Sequence, residues 1–357
     1  MFYREAGDFK STYAEDQALF PIALDRWFVL AAAVMACGVP LVASEYWLST
    51  IFLPVLILSI AAIGLNLLTG YAGQLSLGAG GFMACGAYMA YKFTTAFPEL
   101  NMVVVFALSG LSAAAVGIVF GIPSLRIKGF YLAVTTLAAQ FFLLWLFTKV
   151  PWFVNYSISG VPTAPPREMF GVPVTGASAS VEARYYLVLA LTAILALLAK
   201  NLVRGRIGRE WMAIRDMDIA AEIIGIRPLK TKLTAFAISS FYCGVAGALW
   251  SFCYINIVEP TAFDINRSFA ILFMIIIGGL GSILGSFLGA AFITLLPVFL
   301  NNAPALFNLQ ISSTLVSHIE FMVFGALIIF FLIVEPHGLA RLWQIAKEKL
   351  RLWPFPH

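Results

Sequence analysis

Charge is scarce in this sequence. Of its 357 residues only 11% are Asp, Glu, Lys or Arg, where an ordinary soluble domain carries about 25%. Histidine is scarcer still: His318, His337 and His357 lie too far apart to share a metal ion, so no metal site is expected. Four cysteines, Cys37, Cys85, Cys243 and Cys253, sit inside apolar runs with no CxxC spacing and no nearby histidine. They read as small buried hydrophobes. The chain has no GxxxxGK[ST] segment, which excludes a P-loop nucleotide site. It also has no run of carboxylates inside an apolar stretch, the feature a proton-driven carrier ordinarily needs. These absences leave no catalytic residue and no cofactor to assign, and no nucleic-acid partner is expected.

Apolar sequence is what remains. Hydrophobic residues make up 61% of the chain, and the mean hydropathy is +0.92. A soluble fold must still present much of its surface to water, so this much apolar side chain points to lipid as the solvent. A spanning helix needs about 20 apolar residues. Candidate spans are 27–43, 51–69, 82–97, 102–122, 131–150, 185–200, 233–253, 268–284, 286–300 and 319–334. The expected fold is an all-α polytopic bundle of about ten helices. The segment 286–300 is short enough to be broken or re-entrant.

Ten crossings put both termini on one side. If that side is the cytoplasm, inside segments hold seventeen Lys and Arg and outside segments five, as the positive-inside rule requires. Residues 1–26 carry mixed charge without the basic start and small-residue cleavage site of a signal peptide, and read as a cytoplasmic arm. Residues 335–357 read as a cytoplasmic tail, with 27–334 as the membrane domain. Residues 151–184, rich in Pro and Gly, read as an external loop. Residues 201–232 hold much of the basic charge and a helical stretch, 210–224, which Gly225 would end as a C′ residue. Arg126 and Lys128 read as cytoplasmic anchors.

Two glycine-rich stretches interrupt the apolar pattern. GYAGQLSLGAGGFMACGAY (70–88) has six glycines in nineteen residues, with Gln74 and Ser76 among them. GGLGSILGSFLGAAF (278–292) echoes it weakly. Glycine permits a break, a tight turn or close helix contact. An irregular backbone at membrane depth survives only when buried in protein or lining a wet cavity. Gly70, Gly73, Gly78, Gly279 and Gly281 are therefore hinge candidates, with plain helix packing as the competing account. Asn66, Gln74 and Ser76 at the first break, with Thr135, Thr136 and Gln140 on the fifth span, are candidates for a translocation path. Ordinary interhelical hydrogen bonding is the alternative for each.

Together with RIKGFYLAVTTLA (126–138) and GREWMAIRDMDIAAEIIGIRPLKTKLTAFAISSFYCGVAGAL (208–249), these stretches resemble the permease subunits of branched-chain amino-acid ABC importers, specifically the LivM-like half. The matching blocks spread over roughly residues 60–335 of the sequence. The resemblance implies a bacterial inner-membrane subunit without chemistry of its own. Its implied partners are a second homologous permease, two ATP-binding-cassette ATPase subunits, a periplasmic substrate-binding protein and membrane lipid. It also implies that the helix in 201–232 contacts the ATPase, with Arg215, Asp216, Ala220, Ala221, Glu222 and Gly225 as coupling residues. On composition alone, an amphipathic helix resting on lipid headgroups fits that stretch as well. Rival functions are a LivM-like permease for urea, short amides or aromatic or dicarboxylic acids, a self-contained secondary transporter or channel, and a membrane scaffold.

Overall fold

Helices carry this fold because an apolar chain in lipid must satisfy its backbone amides internally. The computed structural model describes residues 11–12, 23–124, 130–157, 160–169, 171–176, 179–306, 313–335 and 338–352. Arg126, Lys128 and most of the expected N-terminal arm lie outside the described residues. In chain order come α1 (Ala23–Val42), α2 (Leu53–Asn66), α3 (Ala79–Ala96), α4 (Met102–Ser124) and α5 (Phe130–Lys149). A two-stranded hairpin follows, β1 (Arg167–Met169) and β2 (Val172–Thr175). The remaining helices are α6 (Val181–Arg204), α7 (Arg206–Asp216), α8 (Asp218–Ile223), α9 (Pro228–Leu249), α10 (Ile265–Gly278), α11 (Ile283–Leu306), α12 (Ser313–Val334) and α13 (Gly338–Leu352). Wider π-turns extend α2 at both ends (Leu48–Phe52 and Leu67–Tyr71) and α9 at its C-terminus (Trp250–Tyr254).

Among the described residues, seven helical runs are long and apolar enough to cross a membrane. They are α2 with its π-turns, α4, α5, α6, α9 with its π-turn, α10 with the turn before it, and α11. The apolar stretches in α1 and α12 are shorter. Helix α3 is diluted by glycine and Lys92 and does not join the seven. Length and apolarity alone therefore stop short of ten.

One expected boundary was misplaced. The span read as 268–284 runs across a real interruption: α10 ends at Gly278, and α11 begins at Ile283. The piece short enough to be broken or re-entrant, 286–300, belongs to a continuous helix of 24 residues. Leu280, Ile283 and Leu284 keep the surroundings of Gly281 and Ser282 apolar, so averaged hydropathy gave no sign of the turn.

Helix α9 is the centre of the bundle, packed on α2, α3 and α4. A Cβ at Gly86 of α3 would overlap the Gly244 carbonyl of α9, and one at Gly247 would overlap the Met83 carbonyl. These two helices thus meet backbone to backbone, which small residues allow in membranes. Polar side chains fasten the periphery. Tyr242 of α9 donates to the Leu195 carbonyl of α6 (2.8 Å), and Tyr185 of α6 donates to the Ala36 carbonyl of α1 (2.8 Å). At the far end from α7, the chain around the hairpin is laced to the segment after α9. Ala164 N donates to Asn256 O and Val258 N to Pro162 O, both at 2.9 Å. Arg167 of β1 reaches the carbonyls of Thr94 and Pro98.

Candidate functional site

The two glycine-rich stretches lie against each other. After the π-turn Leu67–Tyr71 the chain leaves helical geometry until Ala79, turning at Gly73 with φ +67°. The second interruption, between α10 and α11, turns at Gly279 (φ +120°) and Gly281 (φ +74°). Asn66, at the end of α2, joins them. Its Nδ2 donates to Ser282 O (2.8 Å), Ser286 Oγ (2.9 Å) and, more weakly, Gly279 O (3.3 Å). Its Oδ1 accepts from Gly281 N (2.8 Å). A turn frees amides and carbonyls that have no water to bind, and one carboxamide with both donors and acceptor supplies them. Gly70 has no room for a side chain, because a Cβ there would overlap Gly281 N and Asn66 Oδ1.

The start of α3 presents the same difficulty, since the first amides of a helix lack intrahelical partners. Three side chains from other helices supply them. Thr136 Oγ1 of α5 accepts from Leu77 N (2.9 Å), and Ser268 Oγ of α10 accepts from Gly80 N (2.8 Å). Gln140 Oε1 accepts from Gly81 N, while its Nε2 donates to Phe263 O (2.8 Å). Ser268 Oγ also donates to Gln140 Oε1 (3.2 Å). Gly78 stands at the N-cap, with the Ser76 hydroxyl accepting from its amide (3.3 Å).

Below these breaks sits the basic loop. The helix expected over 210–224 is two helices, α7 and α8, with Met217 extended between them (φ −158°, ψ 92°). The pair Asp216–Met217–Asp218 accounts for this: aspartate is a weak interior helix former, and Asp218 suits the first turn of a new helix. Gly225, at φ +92°, closes α8, with Ile226 N returning to Ala221 O (3.0 Å). Trp211 of α7 is fully buried and donates to Thr234 Oγ1 of α9 (3.3 Å). From the last turn of α7, Arg215 Nη1 donates to the Gly70 carbonyl (2.9 Å), while its Nε pairs with Asp216 (2.8 Å). Arg215 also covers Gly73, where a Cβ would come within 2.8 Å of its Cγ.

Of the six path candidates, five already have partners inside the chain. Asn66 pins the breaks, Thr136 and Gln140 cap α3, and Ser76 serves its own turn. Thr135 is half-buried and bonds back to the carbonyls of Leu132 and Tyr131 on its own helix, so it stays apart from the cluster. Gln74 differs: it is 3% exposed, and neither Oε1 nor Nε2 has a hydrogen-bond partner. Among the coupling candidates, Arg215, Asp216, Ala220, Glu222 and Gly225 are exposed, but Ala221 is buried at 2%. The outward side of α8 carries Ile219 and Ile223 instead, at 70% and 81% exposure, joined by Ile224 at its C-cap at 75%. Ser268, Ser282 and Ser286 were missed as site residues. Serine beside glycine in an apolar run was the only signal for Ser282 and Ser286; Ser268, between Arg267 and Phe269, carried none.

Two helix interruptions buttressed by buried amides, within a bundle of apolar helices, define a polytopic all-α membrane protein. Comparison with known proteins specifies it further. The chain belongs to the family described as branched-chain amino acid transport system / permease component, which matches residues 47–332. It is 31% identical over 280 residues to the high-affinity branched-chain amino acid transport system permease protein LivM of Escherichia coli K12, an alignment covering 72% of this chain. The LivM protein of Salmonella typhimurium LT2 gives the same identity and coverage. The chain spans 64% of the length of each of these two relatives. A probable branched-chain amino acid transport permease protein LivM of Methanocaldococcus jannaschii is 24% identical over 249 residues, covering 67% of this chain and 68% of the relative. No solved structure gives a significant match.

Proposed function

We propose that the chain is a permease subunit of an ATP-driven importer, forming half of a translocation pathway for branched-chain or related amino acids. Family membership supports this, and so do the names of the LivM relatives. In this reading, a second homologous permease completes the pathway and a periplasmic binding protein delivers solute. Two ATP-binding-cassette subunits hydrolyse ATP. The chain crosses a bacterial inner membrane ten times, with α1, α3 and α12 added to the seven long apolar helices, and both termini face the cytoplasm.

The observation that carries the mechanism is the bond from Arg215 to Gly70. The exposed apolar side of α8 docks in a groove of the ATPase, the helix-in-groove mode. Because Trp211 holds α7 to α9, motion of the α7–α8 pair acts through Arg215 on the first break. Asn66 then passes it to the second. Gly73, Gly279 and Gly281 serve as hinges, having backbone angles that other residues adopt only with strain. Gln74, with its hydrogen-bonding capacity unspent, is the path residue best suited to meet a passing polar solute.

Copurification divides this reading from its rivals. The chain should bring down a second, different permease and an ATPase pair, and leucine uptake into proteoliposomes should need ATP and binding protein. A chain that purifies alone and conducts leucine without ATP is a channel or carrier, and the proposal is lost.

A further inference from the structure

Helix α13 has an amphipathic pattern that the rest of the fold does not use up. Spaced at about 100° per residue, Leu339, Leu342, Trp343 and Ala346 fall on one arc of its surface. Lys347 and Lys349 stand at the two edges of that arc. Residues 341–351 contain Arg341, Lys347, Lys349 and Arg351 against the single acid Glu348. The chain packs α13 mainly through its start, where Gly338 and Ala340 are buried against α10 and α11. Leu342, Trp343 and Ala346 remain exposed. An apolar arc edged by lysines is the pattern of a helix lying in the membrane interface.

Continuity with the lipid-facing side of the bundle agrees. Trp343 packs against Phe28 of α1, with ring centroids 5.6 Å apart. Trp27, Phe28 and Leu30 are themselves exposed. Tryptophan is enriched at the headgroup level, where one end of its ring system is wet. The helix also touches the site described above. Gly338 has φ +64°, and a Cβ there would come within 2.5 Å of Ile277 O and 2.7 Å of Gly279 N. The first residue of α13 therefore rests on the turn that Asn66 holds.

We propose that α13, with Trp27 and Phe28 of α1, is a docking surface for anionic phospholipid headgroups, and that headgroup binding is transmitted through Gly338 to the Gly279–Ser282 turn. The cations recognise the phosphate, the apolar arc enters the acyl boundary, and the glycine contact carries the change in α13 to the hinge. The surface does not depend on which solute is carried or on any ATPase.

Hydrogen exchange of the full chain alone tests this, in vesicles of phosphatidylcholine and in vesicles with about 30% phosphatidylglycerol, where each basic residue near the surface contributes about fivefold in affinity. Segments 338–352 and 275–285 should both gain protection in the anionic vesicles. High salt and the variant R341Q/K347Q/K349Q should remove both gains, the variant by about fivefold per cation. Gly338→Ala should keep the gain in α13 and lose it at 275–285. Equal protection in the two vesicles overturns the docking surface. A gain confined to α13 in the unmodified chain overturns the link to the hinge. Neither result bears on the importer reading, because no solute, ATP or partner enters the measurement.

Discussion

Arg215, on the last turn of α7, donates across 2.9 Å to the carbonyl of Gly70 in the π-turn that ends α2, 145 residues earlier in the chain. The distance in sequence matters. A guanidinium bond to a carbonyl freed by a helix break fixes the loop to the break, where a flexible tether would let the two drift.

Replacing Arg215 by alanine should lower uptake on the order of tenfold, the effect of losing one charge-assisted hydrogen bond. ATP hydrolysis by the assembled complex should persist. Arg215→Lys keeps the charge but not the fork, and should recover only part of the uptake. The readout is the ratio of solute moved to ATP consumed.

Asn66→Ala should destabilise the protein by roughly 2 kcal/mol by orphaning buried partners at the second turn. Asn66→Asp should be worse, because a carboxylate would face the acceptors Gly279 O and Ser282 O. Thermal unfolding in detergent ranks the two. An aspartate variant as stable as the parent would remove the pinning role.

Gln74→Leu should leave stability unchanged or raise it, since the amide has no internal partner. Uptake should nonetheless fall severalfold. Loss of stability with normal uptake would place Gln74 among structural residues.

Gln140→Leu should expose the start of α3 by leaving Gly81 N and Phe263 O without partners. The expected cost is about 1–3 kcal/mol. Faster amide exchange at Gly80 and Gly81 is the specific sign, and Thr135→Val should show none of it.

Ile223→Asp should uncouple ATP hydrolysis from transport with insertion intact, because its side chain is 81% exposed. Ala221→Trp should instead deplete folded protein, since that position is buried. Membrane yield and ATPase coupling, measured together, separate the two.

The sequence made some of this legible and hid the rest for definite reasons. Composition was enough for an all-α membrane class, and the weak echo between residues 70–82 and 278–292 pointed at stretches that do lie together. Buried amides could be picked out as consequential. Their roles could not, because Gln140 and Thr136 act on amides 59 residues away, and a local pattern carries no long-range pairing. The turn at 279–282 was hidden from hydropathy because it is short and flanked by apolar residues on both sides, although its glycines marked it as a hinge candidate. The kink at Met217 had a signal, two aspartates around one residue, that the apolar spacing of Trp211 and Ile214 outweighed. Burial of Ala221 beside exposed Ala220 depends on the pitch of a short helix whose start had been misjudged.

The glycine contact between α3 and α9 has a mechanical consequence. No layer of side chains separates these two main chains, so no rotamer change can let one slide past the other. They behave as a single pillar. Under the proposed transport role, opening and closing should then be a swing of the outlying helices about this fixed fulcrum.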